Sequence, residues 1–176
     1  ILIALQEINA RELAVSDRAV LTVGTINGGT ASNVIPDTVT MGGSLRTYDE
    51  ETRGFIKERM AEIAEGTAAA FRTKAEVVFG SGCPTLLNDK KLSADAEKYV
   101  GGLLGKKKTL SAAHMNSGGL SKTAGSEDFA HVSQEVPSIM LALAAGEPEK
   151  GYKYPQHHPQ VKFDEEALTA GCTVYA

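Results

Sequence analysis

The stretch AVLTVGTINGGTASNVIPDTVTMGGSLRTY, residues 19–48, decides the expected fold of the first half of the chain. Residues 19–26 alternate apolar and polar side chains and are rich in β-branched residues, a pattern typical of a half-buried strand. The NGG that follows at 27–29 interrupts this pattern, and residues 37–48 resume it. The stretch therefore predicts two strands joined by a loop that is longer than a tight hairpin needs.

Helical patterns flank these strands on both sides. Apolar residues within positions 1–8 recur at helical spacing, and residues 49–71 carry a long apolar stripe. Thr47 and Glu50 predict a capping box at the start of the second helix. KAEVVFG at 74–80 predicts a third strand. This order indicates an α+β layer, with helices on one face of an antiparallel sheet that keeps an exposed edge.

The second half alternates between helical and strand patterns. We predict helices over 93–104 and from Asp164 to the end, and a short helix that opens at SEDF, residues 126–129. Strands are expected over 109–114 and, as a buried strand, over 138–145. This alternation resembles one end of an α/β sheet with too few strands for a complete one. Because the chain also begins inside a helical pattern and without methionine, we expect a piece of a longer protein.

Composition narrows the classes of function. The chain has 176 residues and a formal net charge of -4, which argues against a nucleic-acid partner because such proteins present a clustered basic face. No run approaches the ~20 apolar residues that span a bilayer, so no membrane association is expected. Cys83 and Cys172 are the only cysteines, and they predict two free thiols and a cytoplasmic location.

The stretch PQHHPQ places two adjacent histidines, His157 and His158, in a loop. A neutral imidazole is a competent ligand for a zinc-like ion, but a catalytic metal needs about three protein ligands. No HExxH or HxH spacing links the four histidines of the chain, so a hydrogen-bonded or exposed loop histidine is the alternative. On an extended loop the two side chains would point to opposite sides, and only one would face an ion.

Four other residues are candidates for binding. Ser126 could cap a helix whose first turn carries two acids, or the amides there could bind an anion that Gly125 lets approach closely. Asn33 lies at the tip of the loop between the two strands, where a simple turn is the alternative reading. Arg46 could bind a carboxylate with both nitrogens or pair across the sheet.

Three separated motifs in one order resemble the M20 family of metallopeptidases: residues 19–56, GSEDFAHVSQEVP at 125–137 and HHPQVKFDEEAL at 157–168. The nearest branch is the amidohydrolases that cleave N-acyl amino acids, such as hippurate or indoleacetyl-amino-acid hydrolases. The resemblance implies an α/β catalytic domain that holds two divalent ions, with zinc, manganese, cobalt and nickel left open. It also implies an inserted α+β lid domain that forms a homodimer.

The resemblance also implies domains and roles for single residues. The lid would be residues 1–76, and residues 77–176 would be the C-terminal part of the catalytic domain. His157 matches the last metal ligand of the family. The other matches are to substrate-binding positions: Asn33, which reaches the partner subunit's site, Arg46, which grips a substrate carboxylate, and Gly125 and Ser126, which line the substrate pocket.

The chain also departs from the family pattern. No segment corresponds to the other metal ligands or to the general-base glutamate, and Glu127 is not that glutamate, so no catalytic residue is predicted. We expect the parent to hydrolyse N-acyl amino acids or small peptides and the 176 residues alone to be inactive. We expect His157 to face a pocket shared with Gly125 and Ser126, while His158 points elsewhere. The alternative is a non-catalytic dimerisation or binding module that uses the lid sheet.

Overall fold

A computed structural model describes residues 1–109 and 125–176, which fall into two compact units. The first unit contains Ile1–Thr85 together with residues 125–128, and the second contains residues 86–109 and 129–176. The strand predicted over 109–114 lies, apart from its first residue, outside the described residues. A domain boundary after residue 76 stays a prediction.

The first unit contains the two strands that its alternating sequence predicts. β1 (Ala19–Gly28) and β2 (Val39–Thr47) pair antiparallel, with Ala19 opposite Thr47 and a bulge between Val23 and Thr25. Within residues 1–109 and 125–176 the two strands pair only with each other. Among the described residues the outer edges of both strands are therefore unpaired, in keeping with the predicted exposed edge.

Two glycines let the strands approach each other at the bulge. A Cβ on Gly43 would collide with the backbone carbonyl oxygen of Thr22, and a Cβ on Gly42 would lie 2.7 Å from Oγ1 of Thr25. Any larger residue at Gly43 must therefore push β2 away from β1. Close packing of this hairpin therefore requires glycine at positions 42 and 43.

Two residues connect β2 to the helix α1 (Glu50–Ala70). Its N-cap is Asp49, whose carboxylate accepts hydrogen bonds from the amide of Thr52 at 2.7 Å and from its hydroxyl at 2.9 Å. The predicted capping box of Thr47 and Glu50 is wrong. Thr47 is still part of β2, and the extended backbone of Asp49 brings its own side chain over the first turn.

The core of the first unit lies between the helices and one face of the sheet. Leu5, Ile8 and Ile56 are buried there, and inward-facing residues of both strands, including Leu21 and Leu45, pack against them. Helices on one face of an antiparallel sheet are thus observed. The first helical segment is irregular, with turns over residues 2–5 and a π-helical turn at Ile8–Glu12.

An ion pair ties this first segment to α1. Arg59 donates to both carboxylate oxygens of Glu12, at 2.5 and 2.7 Å, and also contacts Glu62. The hydrogen bond from Arg59 holds the pKa of Glu12 below its usual value, and the same contacts raise the pKa of Arg59. A bidentate pair of this kind fixes the orientation of both side chains.

The third strand predicted over residues 74–80 is wrong: the segment joins no ladder within the described residues. It runs back along α1 instead. The ammonium of Lys57 lies 5.1 Å from the ring centroid of Phe79, and Arg53 donates to the carbonyl of Cys83 at 2.7 Å. Contacts with helix side chains therefore replace the strand partner.

Among its described residues the second unit contains three helices: α2 (Lys90–Leu104), α3 (Ala130–Glu135) and α4 (Glu166–Tyr175). Short 3-10 turns lie at Lys106–Lys108 and Pro148–Lys150. The N-cap of α3 is Phe129 and no side chain caps the helix, so the prediction that Ser126 caps it is wrong. The chain is still non-helical at residues 125–127.

The apolar segment SIMLALAA, residues 138–145, is not the predicted buried strand. It joins no ladder in the part of the chain that the structure describes, and Met140, Leu141 and Leu143 are 42–49% exposed. The side chain of Asn88 substitutes for a strand partner. It accepts from the amide of Met140 at 2.8 Å and donates to its carbonyl at 3.3 Å.

Candidate functional site

Both adjacent histidines lie in the segment we call the histidine loop, residues 153–163, in the second unit. The loop starts after a β-bridge in which Glu147 and Tyr152 exchange two backbone hydrogen bonds, of 3.2 and 3.0 Å. It ends at Asp164, whose amide donates to the carbonyl of Ala145 at 2.7 Å. Both ends of the loop are thus held by backbone contacts.

An ion pair reinforces the ends of the histidine loop. The ammonium of Lys150 lies 2.9 Å from a carboxylate oxygen of Asp164 and 3.2 Å from one of Glu166, at the start of α4. The hydrogen bonds to Asp164 and Glu166 raise the pKa of Lys150, and the contact with Lys150 lowers the pKa of Asp164. The pair links residues that lie 14 positions apart, so it closes the loop.

His157 lies at the corner of a tight turn. The amide of His158 donates to the carbonyl of Pro155 at 3.1 Å, and His157 has a φ of 72°. Gln156 is not among the residues with positive φ, so Pro155–His158 forms a type II turn with His157 at its third position. That position usually holds glycine or asparagine. The extended loop assumed from the sequence is therefore wrong, because the backbone reverses at His157.

His158 connects this turn to the next one. Its carbonyl accepts from the amide of Val161 at 3.0 Å, and its Nδ1 accepts from the amide of Gln160 at 3.1 Å. Its ring stacks on Tyr154, with centroids 4.2 Å apart and planes 8° from parallel. His158 is half-buried, while the side chain of His157 is exposed. The two histidines thus occupy different environments.

The sequence assigns no role in this loop to the other residues that build it. Lys150 and Tyr154 lie outside the three motifs, and Gln160 and Asp164 lie inside the third motif with no loop contact predicted for them. Their roles depend on contacts made across the loop. The Tyr154 to His158 spacing carries a weak signal, since a ring pair four residues apart can form only when the chain turns between them. Nothing in the one-dimensional pattern distinguishes that turn from an extended loop.

The four binding candidates belong to the first unit. Asn33 is exposed in the loop over residues 29–38, and Arg46 is exposed on β2, opposite Val20 on the face turned away from the core. Gly125 and Ser126 are exposed and precede the first residue of α3 by several positions. Their amides therefore do not belong to the first turn of that helix. The binding roles of all four residues stay predictions.

The described residues do not form a complete metal site. Among them, no group of three or more histidine, cysteine, aspartate or glutamate side chains is placed to hold an ion. His157 can supply a single imidazole, and His114 lies outside the described residues. None of the helices formed by the described residues is long and apolar enough to cross a membrane.

Comparison with known proteins identifies relatives for the whole chain. Residues 1–72 match the family model M20_dimer, described as a peptidase dimerisation domain. The chain is 34% identical to the N-acetyl-L-cysteine deacetylase of Bacillus subtilis, with 96% of this chain and 37% of the relative covered. It is 32% identical to IAA-amino acid hydrolase ILR1-like 2 of Arabidopsis thaliana, with 100% and 38% covered. The chain thus spans less than two-fifths of the length of both relatives.

A solved structure shares the fold. The YXEP protein of Bacillus subtilis, described as a dinuclear metal binding peptidase from the M20 family, superimposes with a TM-score of 0.74 at 28% identity. The match covers 99% of this chain and 43% of that protein. The similarity therefore includes both compact units.

Proposed function

Because the chain belongs to the M20 family, with residues 1–72 as its dimerisation domain, we propose that it is part of a metal-dependent amidohydrolase acting on N-acyl amino acids or small peptides. The two relatives are named for a deacetylation of N-acetyl-L-cysteine and a hydrolysis of an IAA-amino acid. In both names the substrate is an acylated amino acid. The larger protein that would contain this chain is called the parent below.

The conformation of His157 is the observation that carries the site proposal. A residue other than glycine in the left-handed region is uncommon and strained, and such strain clusters at functional sites. The turn also leaves the imidazole exposed on a loop with fixed ends. We propose that His157 is one metal ligand in the parent. Replacement of His157 with alanine should lower both the bound divalent metal and the hydrolysis of N-acyl amino acids.

The metal itself is part of the proposal. The solved relative is described as dinuclear, which supports two divalent ions per site in the parent. Imidazole suits zinc and nickel, and the choice among zinc, nickel, cobalt and manganese is open to direct metal analysis. One imidazole does not make a site. Under the proposal the remaining ligands lie outside the described residues.

Substrate binding is proposed for the candidates in the first unit. The guanidinium of Arg46 can bind the carboxylate of an N-acyl amino acid with two parallel hydrogen bonds. Asn33 would contact substrate in the partner subunit of a homodimer, and Gly125 and Ser126 would line the pocket. In the parent, Arg46→Ala should raise KM more than it lowers kcat, whereas Arg11→Ala, at another exposed arginine of this unit, should change neither.

The alternative is a dimerisation or binding module without catalysis, and the open edges of β1 and β2 favour it. The discriminating assay measures product release from an N-acyl amino acid with and without manganese, on material whose mass matches the 176 residues. We expect no turnover from this chain and chelator-sensitive turnover from the parent. Chelator-sensitive turnover by the chain would overturn the expected inactivity, and an inactive parent would favour the module. A cytoplasmic location, in keeping with the free thiols of Cys83 and Cys172, stays part of the proposal.

A further inference from the structure

We propose that Tyr154 and His158 are positioning residues that hold the turn at His157 in its left-handed conformation. The purpose of that conformation rests on the proposed function, because it is to present the His157 imidazole to a metal. The conformation itself is independent of the proposed function and can be tested separately. Neither Tyr154 nor His158 needs to contact metal or substrate for this role.

The turn needs support because its backbone is intrinsically unfavourable. For a residue with a Cβ, the left-handed region costs roughly tenfold in the conformational equilibrium relative to the right-handed region. An isolated Pro-Gln-His-His segment would therefore populate other conformations. In the folded chain His157 has a φ of 72°, so contacts elsewhere in the loop must offset this cost.

His158 makes those contacts with its backbone and with its side chain. Its amide closes the first turn on Pro155, and its carbonyl closes the second turn on Val161. Nδ1 accepts from Gln160, which fixes the ring relative to the second turn. One residue thus joins both turns, and any rotation of its backbone would break a hydrogen bond.

Tyr154 fixes the same ring from the other side of His157. The two rings are nearly parallel at 4.2 Å, so the stack connects the chain before the turn to the chain after it. The turn can relax only if the rings separate. The Lys150–Asp164 ion pair and the backbone hydrogen bond of Asp164 hold the ends of the loop, which keeps the loop from opening instead.

The test is nuclear magnetic resonance of the 176-residue chain. A positive φ brings the Hα of His157 closer to its own amide proton than a negative φ does, so the left-handed conformation gives a strong intraresidue NOE between these two protons. We expect this NOE in the wild type and in Tyr154→Phe, which keeps the ring. We expect its loss in Tyr154→Ala and in His158→Ala. Tyr99→Ala, at an exposed tyrosine of α2, is the matched control and should retain it.

Two further variants separate the contributions of His158. His158→Phe keeps a ring for the stack but removes the acceptor, whereas His158→Asn keeps an oxygen near the position of Nδ1 and removes the stack. Each should weaken the NOE, and neither should abolish it as fully as His158→Ala. A wild-type NOE intensity in both Tyr154→Ala and His158→Ala would overturn the proposal.

A stability cycle gives an independent readout. In the wild-type background, His157→Gly should lower the unfolding equilibrium constant of the second unit about fivefold relative to His157→Ala, because glycine adopts positive φ without strain. With Tyr154→Ala present, that difference should vanish. An unchanged difference would contradict the positioning role. If the parent keeps its metal and activity in His157→Ala, the proposed ligand role fails, whatever the NOE and the cycle show.

Discussion

Replacement of Ile8 with alanine should strongly destabilise the first unit. The side chain of Ile8 is 0% exposed and packs with Leu5 and Ile56 between the first helical segment, α1 and the sheet. Truncation of a fully buried isoleucine removes its transfer free energy and leaves a cavity, which together cost about 2–5 kcal/mol. Because the site is closed on all sides, we expect a value of about 3 kcal/mol.

Ile3 is the matched control for this substitution. It has the same side chain in the same segment but is 85% exposed, so Ile3→Ala should change the free energy of unfolding by less than about 0.5 kcal/mol. Ile8→Val, which removes one methyl group, should fall between the two at about 1 kcal/mol.

Hydrogen exchange of the amides in α1 measures the effect within the first unit alone. Amides that exchange only through global opening report the free energy of that opening, and about 3 kcal/mol corresponds to an increase of roughly 100-fold in their exchange rate. Ile3→Ala should leave the rate nearly unchanged. Equal acceleration by Ile3→Ala and Ile8→Ala would refute the assignment of Ile8 to the core.

Three more outcomes are expected for the first unit. Gly43→Ala should destabilise it because the added Cβ meets the backbone of β1, whereas Gly54→Ala, in open space on α1, should stabilise it by about 1 kcal/mol; urea unfolding midpoints compare the two. Asp49→Ala removes the cap of α1 and should cost about 1 kcal/mol in the same assay, while Asp49→Asn should cost less. The hydrogen bond from Arg59 holds the pKa of Glu12 below its ordinary value, so the ion pair contributes fully above the pKa of the unfolded state and is lost as the pH falls through the lower pKa of the folded state. The free energy of unfolding of Glu12→Gln should therefore fall less at acid pH than that of the wild type. An equal fall in both proteins would contradict this.

The hairpin and the long helix were predictable because their signals are local. The alternation in β1 follows from the opposite orientation of successive side chains, and burial alternates over residues 19–24 before the strand becomes exposed beyond the bulge. The stripe of α1 places Ile56 and Ala64 on one face, and both are buried. Such patterns need no knowledge of distant residues.

The segments 74–80 and 138–145 show where local signals fail. Both have β-branched or apolar sequences typical of strands, yet neither forms a strand in the part of the chain that the structure describes. A strand, however, is defined by hydrogen bonds to a neighbour, and in the described residues these segments contact helix side chains or Asn88 instead. The capping boundaries failed for a similar reason, since the residue that caps a helix depends on where the preceding backbone turns.

The sequence by itself indicated the chemistry available at the candidate site: an imidazole at His157, in a stretch that resembles a motif of the M20 metallopeptidases, with no spacing that links it to further ligands. It also determined the apolar periodicities that form the first unit. Only the tertiary structure decided that His157 occupies a left-handed turn and that His158 faces Tyr154. The physical reason is that a strained backbone persists only when several separate contacts hold it, and those contacts form after the chain has folded back on itself.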